Sequence, residues 1–218
     1  RQGDRFPVHG LNIPANEVSG DFFDFLRLSD GRVYFALGDV SGKGMNAALL
    51  MARAISLLRC LAKTAGDPGT LLGSVNRELC DTSVMGMFVT IIAGYLSSDG
   101  DMVEIANGGH PPALLRRGDG SFHEFPAEAP PLGVLPGVEF PSSTFKLGSD
   151  TMYLYTDGIS ESESSDGSQL QSSGLKEVLE SVANWKASER LSSVMEKWEA
   201  LGYKAHDDIT LLLVESVA

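Results

Sequence analysis

Four acidic spots in this sequence stand where an apolar run stops or a turn begins: Ser19-Gly20-Asp21, Gly38-Asp39-Val40-Ser41-Gly42, Tyr155-Thr156-Asp157-Gly158 and His206-Asp207-Asp208-Ile209-Thr210. An aspartate at the tip of an apolar strand is costly to bury unless it is paired or metal-bound. Val33–Asp39 and Tyr153–Asp157 both end this way, and neither has a matching supply of Arg or Lys nearby in sequence. Carboxylates that converge without cations repel one another, and hard divalent ions relieve that repulsion. Oxygen-only ligation favours Mg²⁺ or Mn²⁺ over zinc. Taken singly, each spot also reads as a turn, because Asp and Gly suit turn backbone. Taken together, they point to a shared metal site.

The Gly-rich stretch Gly38–Gly44 precedes a helical segment and invites comparison with a phosphate-binding loop. That motif needs G-x-x-x-x-G-K-[S/T]. Here the glycines are closer together, Gly44 follows Lys43 where Ser or Thr is required, and Asp39 would repel phosphate. A nucleotide loop is rejected.

The elements that must position these residues are hairpins and helix pairs. Asp21–Leu28 and Arg32–Gly38 flank Ser29-Asp30-Gly31, a tight-turn signature. Phe88–Leu96 with Met102–Ala106, and Ala113–Arg117 with Ser121–Phe125, predict two further hairpins. Phe140–Leu147, Thr151–Thr156 and Ile209–Glu215 complete the strands. Met45–Ala65 predicts a first helix, stopped by Gly66-Asp67-Pro68, and Thr70 to Thr82 a second. Leu175, Val178, Leu179 and Val182, then Leu191, Val194, Met195 and Trp198, repeat the helical i, i+3, i+4, i+7 spacing. Ser160–Ser173 reads as a mobile surface loop. Strands in hairpins with helices in pairs predict an α+β fold: two antiparallel β-sheets packed as a sandwich, flanked by helix pairs, in one domain over 1–218.

Composition narrows the function classes. A formal net charge of −12 and no basic run exclude duplex nucleic acid as a partner. The apolar stretch Met45–Ala65 is broken by Arg53, Arg59 and Lys63, so it reads as a core helix and not as a membrane span. Met45, Ala47, Ala48 and Met51 are read as packing on the sheet. Cys60 and Cys80 are read as small buried residues outside any disulfide or zinc framework. No signal peptide is visible, and the absence of an initial Met is read as a fragment of a longer chain.

The run Ser19-Gly20-Asp21-Phe22-Phe23-Asp24, then Gly38 through Ala48, Asn107-Gly108-Gly109-His110-Pro111-Pro112, Tyr155-Thr156-Asp157-Gly158 and Asp207-Asp208-Ile209-Thr210, resembles the metal-dependent protein phosphatase (2C-type) superfamily. The similarity is to its bacterial SpoIIE-like branch of sporulation and stress-sigma-factor regulators, and covers nearly the whole chain. The resemblance implies a helix-flanked β-sandwich and two Mn²⁺ or Mg²⁺ ions. It implies that Asp39 bridges both, that the Val40 carbonyl binds one, that Asp157 and Asp207 hold one, and that Asp21 supports the other directly or through water. A hydroxide bridging the metals would then attack a phosphoserine or phosphothreonine of a regulatory protein, with no phospho-enzyme and no Cys nucleophile.

The resemblance further implies a cytoplasmic bacterial setting and an anti-anti-sigma-type substrate. It implies a covalently linked sensor or receiver domain and regulation through helices such as Met45–Ala65; a homodimer is compatible with it, but the sequence does not specify one. The eukaryotic members grip phosphate with an N-terminal Arg, for which Arg1 and Arg5 offer no matching local pattern. Lys43 reads either as a phosphate contact or as a solvated charge. His110 reads either as a general acid or as a cap on local backbone, and His206 as a group that could orient Asp207. Two other functions fit the composition: a catalytically silent phosphatase-like binding module, and a hydrolase of small phosphoesters or nucleotides.

Overall fold

The computed structural model describes residues 6–15, 19–81 and 86–216. Ten strands form two five-stranded sheets in which every strand pair is antiparallel. One sheet runs in the order β2 (Asp21–Arg27), β3 (Val33–Val40), β4 (Val89–Leu96), β5 (Met102–Gly108), β8 (Ser143–Lys146). The other runs β1 (Val8–Ile13), β10 (Ile209–Glu215), β9 (Thr151–Tyr155), β6 (Ala113–Arg116), β7 (Phe122–Phe125). Helices α1 (Met45–Leu61) and α2 (Pro68–Cys80) pack on the first sheet. The short α3 (Asp157–Ser160) leads towards α4 (Gln171–Ser181) and α5 (Ala187–Ala200), which pack on the second. The expected helix-flanked sandwich is the observed architecture.

Alternation along the strands builds three apolar layers. Successive side chains point to opposite sheet faces. In β3, Tyr34 and Ala36 join the layer under α1 and α2, with Leu58, Leu71 and Val75, while Phe35 and Leu37 enter the layer between the sheets. In β10, Leu211 and Leu213 meet Leu179, Val194 and Trp198 of α4 and α5, while Leu212 and Val214 face the sandwich interior. Both faces of the central strands are therefore buried, which is why these runs are apolar almost throughout.

Several expectations are corrected. The edge strand β1 went unrecognised because Val8-His9-Gly10-Leu11-Asn12-Ile13 has no clean alternation; pairing with β10 makes it a strand. The strand expected over Phe140–Leu147 is confined to β8, with Phe140 buried outside it under the α1–α2 layer. Ser160–Ser173 is not a simple surface loop. Ser162 and Leu170 are buried, the Ser162 hydroxyl receives a hydrogen bond from Trp198 Nε1 at 2.9 Å, and α4 already begins at Gln171. Cys60 is exposed and Cys80 half-buried, both as free thiols, because they lie off the sheet-facing stripes of their helices. Met45 is exposed as well, on the opposite side of α1 from the buried Ala47. The expected end of the second helix at Thr82 lies outside the described residues, as do Arg1 and Arg5. Among the described residues no helix is long and apolar enough to cross a membrane.

Leu58 is fully buried between α1 and the first sheet. Truncation by Leu58→Ala is expected to cost about 2–5 kcal/mol, read as a lower urea midpoint at unchanged slope.

Candidate functional site

β3 sets the geometry of the site. Asp39 follows Phe35 and Leu37 as the next position on the sandwich-facing side, at the strand end where the layer opens. Asp21, the first residue of β2, is its direct partner in register. Beyond Val40 the chain turns through Gly42 (φ 88°) and Gly44 (φ 82°), left-handed conformations that suit glycine, and enters α1. Across the sandwich, β9 ends at Tyr155 and β10 begins at Ile209, so Asp157, Asp207 and Asp208 reach the same end. A small polar cleft of about 110 Å³ results, lined by Gly20, Asp39, Val40, Lys43, Asp207 and Asp208 among others.

Close backbone approach draws these segments together. A Cβ on Gly158 would stand 2.0 Å from the Asp208 carbonyl oxygen, so Asp157-Gly158 lies directly on Asp207-Asp208. A Cβ on Gly20 would stand 2.9 Å from Asp39 Oδ1 and 3.1 Å from the Val40 oxygen. Neither position accepts a side chain without displacing a site residue.

A buried hydroxyl network holds Asp21. Its Oδ2 accepts hydrogen bonds from Thr156 Oγ1 at 2.6 Å and Thr210 Oγ1 at 2.7 Å, while Asn12 Nδ2 donates to Thr210 Oγ1 at 2.7 Å. The Thr210 N–H donates to Thr156 Oγ1 at 2.9 Å. One carboxylate thus joins β2 to the ends of β9 and β10. Thr156, Thr210 and Asp208 had no distinct signal in the sequence beyond their place in the acidic runs, and Asn12 had none, since their roles arise from contacts across long separations.

The electrostatics are those of crowded carboxylates. Burial pushes Asp21 up to about 7 against the opposing pull of its two hydroxyl donors, with Asp39 and Asp208 adding to the rise. Burial, then the charges of Asp157, Asp207 and Asp208, push Asp39 up to about 7. Asp157 is raised by desolvation and then by Asp207, although part of the residue remains exposed. Among the described residues Lys43 is the one cation in an ion pair with any of these aspartates. It stands 3.9 Å from Asp207, and both side chains are largely exposed.

His110 takes no part in this cleft. It is buried, with Nδ1 2.9 Å from Thr90 Oγ1 and Nε2 3.1 Å from the Tyr155 carbonyl oxygen, so Nε2–H donates and Nδ1 accepts from the threonine. Burial drives its pKa down to about 3, which leaves a neutral ring bridging the two sheets. The substrate-contact expectation for His110 is corrected on that ground: both ring nitrogens are engaged inside the sandwich. His206 reaches Glu163 at 3.5 Å and makes no hydrogen bond to Asp207 among the described contacts.

Residues 29–216 match the family described as Stage II sporulation protein E (SpoIIE). The chain belongs to this family. It is 25% identical over 216 residues to "Phosphoserine phosphatase RsbU" of Bacillus subtilis (strain 168), covering 98% of this chain and 64% of that protein. It therefore spans less than two thirds of this curated relative. The RsbU and RsbW domains of Rv1364c from Mycobacterium tuberculosis superpose with a TM-score of 0.81 at 28% identity, over 97% of this chain and 62% of that one. The SiaA-PP2C domain of Pseudomonas aeruginosa shares the fold, with a TM-score of 0.84 at 19% identity over 96% and 86% of the two chains.

The donor set of this SpoIIE-family chain suits a hard divalent cation. Its acidic groups are oxygen donors, of which burial and neighbouring carboxylates raise Asp39 and Asp157, and the cleft has a single exposed lysine to oppose them. Among the described residues, no three His, Cys, Asp or Glu side chains already gather around one point. Asp39, Asp157 and Asp207 lie within Coulombic reach of one another.

Asp21 and Asp39 keep protons in the folded chain at pH values where unfolded carboxylates have released them. Their stabilising contribution is complete below about pH 4 and is lost as pH rises through about 7. In chelator, the thermal midpoint of the wild type is expected to fall more steeply between about pH 5 and 8 than that of Asp39→Asn. Equal slopes would rule out this origin of the pH dependence.

Proposed function

We propose that this chain is a metal-dependent protein Ser/Thr phosphatase that hydrolyses phosphoserine or phosphothreonine on a regulatory protein. The observation that carries the reading is the cleft itself, where Asp39 meets Asp207 and Asp208 within Coulombic reach of Asp157, with one exposed lysine to oppose them. Asp39, Asp157 and Asp207 would hold two Mn²⁺ or Mg²⁺ ions together with the Val40 carbonyl. Asp21, oriented by Thr156 and Thr210, would support the second ion directly or through water. Such ions, when bound, supply Lewis acidity towards water and neutralise charge on phosphoryl oxygens.

The chain's own residues do the rest. Strand register places Asp39 and Asp21 side by side at the strand ends before substrate arrives. Lys43, exposed at the rim, is the group that would meet a phosphate oxygen as a point charge. The cleft of about 110 Å³ is well below the roughly 300–1,000 Å³ of pockets that enclose whole small molecules, so it would take a phosphoryl group and leave the rest of its carrier outside. A phosphorylated side chain offered from a protein surface meets that requirement.

Membership of the SpoIIE family and similarity to a protein named phosphoserine phosphatase support a setting in bacterial signalling. The proposed substrate is a phosphorylated regulator of the anti-anti-sigma type, in the cytoplasm. A covalently linked sensor or receiver domain and dimerisation would supply control.

Phosphate release from p-nitrophenyl phosphate and from a phosphoserine peptide is expected to require added Mn²⁺ or Mg²⁺. It should fall more than about a hundredfold in Asp39→Asn and in Asp157→Asn. Turnover that survives both substitutions would sink the site assignment. A nucleotide cleaved faster than the phosphopeptide would overturn the substrate class.

A further inference from the structure

Asp208 lines the cleft beside Asp207, yet the two adjacent carboxylates are used differently. Asp207 is largely open to solvent, and its Oδ1 accepts the backbone N–H of Asp208 at 2.9 Å. Asp208 is only 6% exposed. Its Oδ1 accepts the N–H of Ala15 at 2.7 Å and its Oδ2 accepts the N–H of Gly20 at 2.9 Å. Each oxygen is thus engaged by one end of the connection between β1 and β2.

Gly20 is where that connection touches the site. Its carbonyl accepts the Val40 N–H at 3.2 Å, and its Cα lies against the Asp39 carboxylate and the Val40 oxygen so tightly that a Cβ would stand within 3.1 Å of both. The backbone carbonyl of Asp208 meanwhile packs on Gly158, next to Asp157. Asp208 therefore touches the Asp157-Gly158 segment through its own carbonyl, adjoins Asp207, and reaches Asp39 and Val40 through Gly20.

We infer that Asp208 is a positioning residue: a two-pronged clamp that presses Gly20 onto Asp39 and Val40 and so sets the affinity of the cleft for its divalent ion. The inference rests on the metal-binding reading above. It also explains why a carboxylate stands here despite its repulsion of Asp21 and Asp39. Two N–H donors need two acceptor atoms. An asparagine supplies one acceptor oxygen, and its amide nitrogen would then face a second N–H, leaving donor against donor in a buried place.

The test is direct Mn²⁺ binding, read from the electron paramagnetic resonance signal of free Mn²⁺ during titration. Wild type, Asp208→Asn and Asp207→Asn are compared, alongside p-nitrophenyl phosphate turnover. The expected result for Asp208→Asn is Mn²⁺ affinity weakened about tenfold or more, as for other groups that orient ligands. Its turnover should fall at low Mn²⁺ and recover as Mn²⁺ is raised, because the ligands themselves remain. Asp207→Asn should instead lose kcat at saturating Mn²⁺.

Wild-type affinity in Asp208→Asn would overturn the clamp. A loss of kcat at saturating Mn²⁺ equal to that of Asp207→Asn would also overturn it, by making Asp208 a ligand. If Asp208→Asn does not fold, Ala15→Pro carries the test, since it removes one of the two N–H donors to Asp208 and leaves Gly20, Asp39 and Val40 unchanged: weakened Mn²⁺ binding supports the clamp and unchanged binding overturns it. Wild-type protein that binds Mn²⁺ without phosphatase turnover would defeat the proposed function and leave the clamp standing. Wild-type protein that binds no Mn²⁺ would defeat both.

Discussion

Carboxylates crowded at one open end of the β-sandwich set the constraint under which the rest of the structure is arranged. Asp21, Asp39, Asp157 and the adjacent pair Asp207-Asp208 come from segments far apart in the chain, and burial together with the neighbouring carboxylates raises the pKa values of Asp21, Asp39 and Asp157. Like charges in a partly desolvated place are unfavourable unless each is held by other contacts. The chain holds them by two means. Hydroxyl and backbone N–H donors bind the buried oxygens of Asp21 and Asp208, while rigid strand ends fix where the others start.

That arrangement depends on layers that do not yield. The central strands are apolar on both faces, so a shift of register by one residue would exchange the sandwich layer for the helix layer and carry Asp39 away from Asp21. His110 contributes to the same rigidity. A neutral imidazole bonded to Thr90 in one sheet and to the Tyr155 carbonyl in the other links the sheets just before the chain delivers Asp157. Its burial is a mechanical role, since a ring with both nitrogens engaged cannot also serve a reacting group.

Kinship and geometry are complementary here. Membership of the SpoIIE family and likeness to RsbU bring the expectation of phosphoserine chemistry, and the size and charge of the cleft are compatible with a phosphorylated side chain. The cleft's small volume and its one exposed lysine also leave little within it to distinguish substrates. Recognition of a particular phosphoprotein would then fall to surfaces outside it.

The sequence by itself determined the fold class and most of the elements, because alternation and helical spacing are local properties that follow from which faces must be buried. It also marked the acidic runs around Asp21, Asp39, Asp157 and Asp207, since an aspartate at the end of an apolar strand stands out against its neighbours. It did not mark β1, whose strand state comes from pairing with β10 some two hundred residues along the register, as in Val8 with Val214. It did not separate Asp207 from Asp208, or His110 from a cleft residue. Those distinctions depend on which atoms lie within about 3 Å after folding. Side chains adjacent in sequence at a strand end can face solvent or a buried loop, and only the packing of β2, β9 and β10 around Gly20 and Gly158 decided which did which.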